Sequence, residues 1–132
     1  MKTRVEKDSF GELQVPADAF YGVHTCRSVQ NFNAGGETVP LEIIYGMAKM
    51  KWACARANHA LGLLDDKKTA AIEKACQTVL AGKVDDQFPI DVFHAGSGTS
   101  SNMNVNEVIA NLANEELGGK RGERSLVHPN DD

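Results

Sequence analysis

An uncharged run of small residues, Gly96-Ser97-Gly98-Thr99-Ser100-Ser101-Asn102-Met103-Asn104, leads straight into the amphipathic segment Val105-Asn106-Glu107-Val108. No other passage narrows the fold as much. Asn104-x-x-Glu107 has the form of a capping box, and Val105, Val108, Ile109, Leu112 and Ala113 follow at helical spacing. A flexible Gly/Ser linker carries no such signal. The pattern predicts a helix from about Val105 to Leu117, closed by Gly118-Gly119. Ahead of it, glycines let the backbone approach a ligand, and hydroxyls on Ser97, Thr99, Ser100 and Ser101 supply donors. With the free N–H groups of a helix start, the passage has the chemistry of an anion cradle.

The rest of the chain must be compatible with that cradle. Its 132 residues suit a single domain with a modest core and leave room for apolar surface that a partner covers. A net charge of −4 without a basic stripe argues against nucleic acid, whose phosphates need grouped lysines and arginines. An anion is therefore held by local dipoles and individual cations. Cys26, Cys54 and Cys76 are odd in number and have no CxxC pair, so they read as reduced, partly buried thiols and not as a disulfide framework or zinc site. The polar start Met1-Lys2-Thr3-Arg4-Val5-Glu6 has no signal-peptide core, and no window is apolar enough to span a membrane. A soluble, cytoplasmic protein is expected.

Along the chain, Arg4 to Asp8 and Glu12 to Val15 flank Ser9-Phe10-Gly11 as a short hairpin or extended arm. Pro16 to Phe20 starts a helical turn, and Thr25 to Phe32 forms a short helix before the loop Asn33-Ala34-Gly35-Gly36. A long helix begins at Thr38 and Pro40 and stops at Gly62. Ile43, Met47, Met50, Cys54, Ala57 and Leu61, alternately four and three apart, form its expected packing seam. Asp65 caps a second helix whose face is Ile72, Cys76 and Val79, ending at Gly82, with Lys67, Lys68 and Lys74 solvated. The fold class expected is mainly α.

Isolated candidates carry little chemistry. His24, His59, His94 and His128 lie in separate contexts, so no Ser/His/Asp triad can be argued. His59, inside a helix, reads as structural or solvent-facing, and His94 as a loop residue beside the cradle. Asp85 and Asp86 are adjacent and point apart, which does not make a metal site. His128-Pro129-Asn130-Asp131 differs: proline fixes the backbone while an imidazole, an amide and a carboxylate gather in one turn. It reads as a turn, a helix start or a ligand site.

These residues resemble the fumarase/aspartase superfamily. Its signature is similar to Gly96-Ser97-Gly98-Thr99-Ser100-Ser101-Asn102-Met103-Asn104-Val105-Asn106-Glu107-Val108 nearly residue for residue. The resemblance spans the chain in the family's order, through Arg4-x-Glu6-x-Asp8-x-x-Gly11, Tyr21-Gly22-x-x-Thr25-x-Arg27, Leu61-Gly62-Leu63-Leu64-Asp65, Asp86-Gln87-Phe88-Pro89 and His128-Pro129-Asn130-Asp131. It implies that residues 1–132 are the N-terminal domain of a homotetrameric, mainly helical lyase acting on four-carbon dicarboxylates without metal or cofactor. The central helical bundle and the C-terminal domain are expected to lie outside this sequence. By the same resemblance, Ser97, Gly98, Thr99, Ser100 and Asn102 bind a substrate carboxylate, and His128, Pro129, Asn130 and Asp131 form a second dicarboxylate site.

The implied chemistry removes a proton beside a carboxylate, and preorganised donors such as Ser97 and Thr99 stabilise the charge that develops. The family's base sits on a later Gly-Ser-Ser loop, so no catalytic residue is expected here and the 132-residue chain alone is expected to be inactive. Ser97-Gly98-Thr99 and His128-Pro129-Asn130-Asp131-Asp132 resemble the members that hydrate fumarate to malate. Tyr21-Gly22-Val23-His24-Thr25 resembles those that deaminate aspartate, the alternative reading. Arg124 sits one place from the basic residue that fumarases put near the second site. A non-catalytic helical scaffold is the reading from another class; an intact hydroxyl loop counts against it.

Overall fold

Two runs of extended residues open the chain, and a two-residue turn at Ser9-Phe10 lets them pair. β1 (Thr3–Asp8) and β2 (Gly11–Pro16) form an antiparallel hairpin in which Arg4 lies opposite Val15 and Asp8 opposite Gly11. The computed structural model describes every residue from Met1 to Asp132. Only Glu6 and Val15 of the hairpin are buried, so it is an arm and not a sheet core. Arg4 fastens it: its guanidinium donates to the carbonyls of Pro16, Ala19 and Tyr21 at 2.7, 2.8 and 2.8 Å. Residues 16 to 21 form a turn held by Ala19 N–H on the Pro16 carbonyl, and no helix forms there.

Four helices follow: α1 (Val23–Asn31), α2 (Leu41–Ala60), α3 (Asp66–Leu80) and α4 (Thr99–Glu116). The fold is mainly helical with one N-terminal hairpin. α3 starts where expected, with the Asp65 carboxylate accepting from Lys68 N–H at 2.9 Å. Its expected face, Ile72, Cys76 and Val79, is buried against Val105, Val108, Ile109 and Ala113 of α4 in one continuous core. Removing this apolar surface from water is the main stabilising term. A short 3-10 turn, Asp85–Gln87, and an irregular segment lead from α3 to α4. No helix is long and apolar enough to cross a membrane.

Besides the helical turn expected at Pro16 to Phe20, two expectations fail, both through helix phase or start. α2 turns Ile44, Ala48 and Ala55 inward, while Ile43, Met50 and Leu61 of the expected seam are 49, 52 and 73 % exposed. α2 carries apolar residues on two faces, and the one-residue offset between Ile43 and Ile44 rotates the choice by about 100°. α4 starts at Thr99 and not near Val105, so Asn104 and Glu107 are not its capping box. Both are buried in its second and third turns and bond to other parts of the chain.

Candidate functional site

Gly98 sets the start of α4. Its φ of +77° turns the chain in a conformation that side chains disfavour, and the residues after it wind at once into helix. No side chain caps this helix and no acidic residue lies in its first turn. The leading N–H groups of α4, with the positive end of its dipole, therefore remain available to an anion. Ser97 Oγ and Thr99 Oγ1 are 3.0 Å apart at the surface, so two hydroxyls converge on that helix end. Ser100 is buried, and Ser101 donates to the Gly98 carbonyl at 2.9 Å, tightening the first turn. Asn102 is half-buried, with its Oδ1 accepting from Lys51 Nζ of α2 at 2.6 Å.

Buried groups fix this helix start in place. Asn104 Nδ2 donates to the Gln87 carbonyl at 2.9 Å, and Gln87 Oε1 accepts from Phe20 N–H at 2.7 Å. Asp91 accepts from Ala34, Gly35 and Gly36 N–H at 3.1, 2.8 and 3.3 Å and from Phe93 N–H at 2.8 Å. The Phe93 amide first, then that of Gly35, holds its carboxyl below the usual 3.8. His94 is half-buried beside the hydroxyl loop, and its Nδ1 has no hydrogen-bond partner in the chain. Asp85 and Asp86 do not act as a pair: Asp85 accepts from Tyr45 Oη at 2.7 Å and Asp86 is exposed. His59 sits 2.6 Å from Asp66 at the surface.

The second candidate lies in residues 128–132, beyond the end of α4. The His128 ring faces Asp131 at 3.1 Å, and its Nδ1 also lies 3.2 Å from Asn130 N–H. One nitrogen serves these two only in turn: unprotonated it accepts from Asn130, and protonated it donates to Asp131. His128 N–H donates to Asp132 Oδ2 at 2.8 Å, and Lys68 pairs with Asp132 Oδ1 at 2.7 Å. His128, Pro129 and Asp132 line a small cavity of about 80 Å³ with Lys51, Cys54 and Asn106, while Asn130 and Asp131 are exposed. Lys51 thus touches both candidates, bonding Asn102 and lining the cavity.

Sequence reasoning missed the group that ties α4 to the start of α1. Glu107 of α4 accepts from Gly22 N–H at 2.9 Å, His24 N–H at 2.9 Å, Thr25 N–H at 3.1 Å and Thr25 Oγ1 at 2.7 Å. Glu6 of β1 takes Val23 N–H at 3.0 Å and pairs with Arg4 at 2.7 Å. Two distant carboxylates thus cap α1, which has no cap of its own. Gly22 is required there by space, because a Cβ would lie 2.8 Å from Glu6 Oε2 and 2.9 Å from Glu107 Oε1.

A family model described as lyase matches residues 11–132. The chain belongs to this lyase family. The fumarate hydratase class II of Chromobacterium violaceum is 54% identical over 129 residues, 98% of this chain and 28% of that protein. The fumarate hydratase class II of Ralstonia nicotianae is 52% identical over the whole chain, which covers 29% of its length. The chain therefore spans less than a third of the length of these curated relatives. Among solved structures, fumarate lyase:delta crystallin from Brucella melitensis superposes with a TM-score of 0.95 at 46% identity, over 99% of this chain and 29% of that one. The class II fumarase of Schistosoma mansoni gives 0.93 at 41% identity, over 98% of this chain and 28% of that one. These likenesses place the chain within the fumarase/aspartase superfamily and extend over the whole fold.

Proposed function

We propose that this lyase chain is the N-terminal domain of an enzyme that reversibly adds water to fumarate to give malate, and that it supplies the carboxylate-binding loop. The supporting observation is the bare N-terminus of α4, flanked by the converging hydroxyls of Ser97 and Thr99. Relatives about half identical to the chain are named fumarate hydratase class II, and this favours the hydratase over the ammonia-lyase. Ser97, Thr99 and the amides after Gly98 bind one substrate carboxylate, with Ser100 and Asn102 shaping its edge. As a proton leaves the adjacent carbon, negative charge grows on that carboxylate, and donors already in position stabilise it without reorganising.

The group that takes the proton lies outside these 132 residues, so the chain by itself is inactive. His128, Pro129, Asn130 and Asp131 form a second dicarboxylate site, and the working enzyme is a cytoplasmic homotetramer. Assay of the full gene product with fumarate, malate and aspartate tests the reading. Interconversion of fumarate and malate supports it, and deamination of aspartate without dehydration of malate refutes it. Turnover by the purified 132-residue chain would remove the claim that the base lies elsewhere.

A further inference from the structure

The proposed reading gives no role to Lys51. This half-buried lysine of α2 takes part in none of the ion pairs of the protein, yet its Nζ lies 2.6 Å from Asn102 Oδ1 in the first turn of α4. A cation is unfavourable beside the positive end of a helix unless an anion joins them. An ammonium only donates, so the amide of Asn102 must turn its oxygen to Lys51 and its two N–H donors away. Flipped by half a turn, the same amide would present an acceptor oxygen, which repels a carboxylate.

Resting on the reading of Ser97 and Thr99 as carboxylate donors, we propose that Lys51 is a positioning residue. It locks the Asn102 amide with its N–H donors toward the bound carboxylate. Lys51 acts through Asn102, which predicts a particular pattern of kinetics in the full gene product. Lys51→Met raises KM for fumarate roughly tenfold, the worth of one charge-assisted hydrogen bond, and leaves kcat within about twofold. Lys51→Arg, which can still donate, restores most of the loss.

In an Asn102→Leu background, Lys51→Met adds less than about a twofold change, because the group it orients is gone. An unchanged KM in Lys51→Met, or the same KM factor in both backgrounds, overturns the proposal. Neutron crystal structures, which distinguish the amide nitrogen from its oxygen, decide it independently of turnover: the Asn102 oxygen faces Lys51 in the wild type, and the amide is flipped or disordered in Lys51→Met. An unchanged amide orientation in that variant refutes the positioning role whether or not the enzyme is active. Absence of fumarate hydration by the wild type would instead count against the functional reading alone.

Discussion

Glu107 is the side chain whose loss has the most calculable consequence. Its carboxylate accepts four hydrogen bonds from the first turn of α1 and is 3 % exposed. Glu107→Ala strands those donors. Water reaches the half-buried His24 N–H, but Gly22 N–H and both Thr25 donors stay enclosed, each costing about 1–3 kcal/mol. With about 0.3–1 kcal/mol for the charge lost at the helix start, and partial relaxation, the expected cost is about 4–6 kcal/mol. That is a large share of the roughly 5–15 kcal/mol that holds a domain together. Glu107→Gln keeps the shape, but its NH2 must face at least one donor, and a loss of about 2 kcal/mol is expected. Glu116 is the control: its ion pair with Lys74 at 2.6 Å is exposed, so Glu116→Gln costs under about 0.5 kcal/mol. Urea unfolding of the three variants, followed by circular dichroism, measures all three. A Glu107→Ala protein within about 1 kcal/mol of wild type would refute the reasoning.

Two further outcomes rest on titration. Asp91 has its carboxyl lowered from 3.8 by the amides of Phe93 and Gly35, so its contribution is complete above the unfolded value and is lost as pH falls through the folded value. The stability gap between wild type and Asp91→Asn, from urea midpoints at several pH values, therefore narrows below about pH 4; a gap that widens there contradicts the assignment. Burial pushes the Cys26 thiol up to about 11 and Cys76 up to about 12, while Cys54 is exposed. A thiol reagent at neutral pH should label Cys54 first and the other two only on unfolding, and early labelling of Cys76 by mass spectrometry would refute the packing of α3.

α3 was legible because its cap, its apolar face and its stop all agree locally: Asp65 caps it and Ile72, Cys76 and Val79 share one side. α2 was legible in extent but not in orientation. Its residues offer two apolar faces one residue out of phase, and only the positions of α3 and α4 choose Ile44, Ala48 and Ala55. The helix that follows the hydroxyl loop was legible through composition and spacing, yet its start was misplaced. Serine, threonine and asparagine compete with helical bonding on their own, so a helix beginning at Thr99 runs against propensity. Its polar side chains were unreadable as long-range partners because spacing along one chain does not report what lies across it.

Those partners explain why an asparagine-rich segment winds into helix at all. Asn104, Glu107, Asn111 and Asn114 follow at intervals of three, four and three, which puts them on one side of α4. All four are buried. Each takes up backbone groups that irregular chain cannot satisfy alone: Gln87 for Asn104, the start of α1 for Glu107, and Phe20 and Gly122 for Asn111. Asn114 donates to the Glu123 and Val127 carbonyls at 3.0 and 2.9 Å and accepts from Val127 N–H at 3.0 Å. Buried polar groups tolerate little displacement, because each unmade bond costs more than a made one contributes. The stripe therefore sets the distance between the segment entering the hydroxyl loop and the segment entering His128. A single rigid helix carries the first candidate site at its start and positions the second from its far end. At Asn111 and Asn114 asparagine, a weak helix former, fits because one amide both donates and accepts; Asn104 donates to Gln87 while its buried Oδ1 has no partner in the chain.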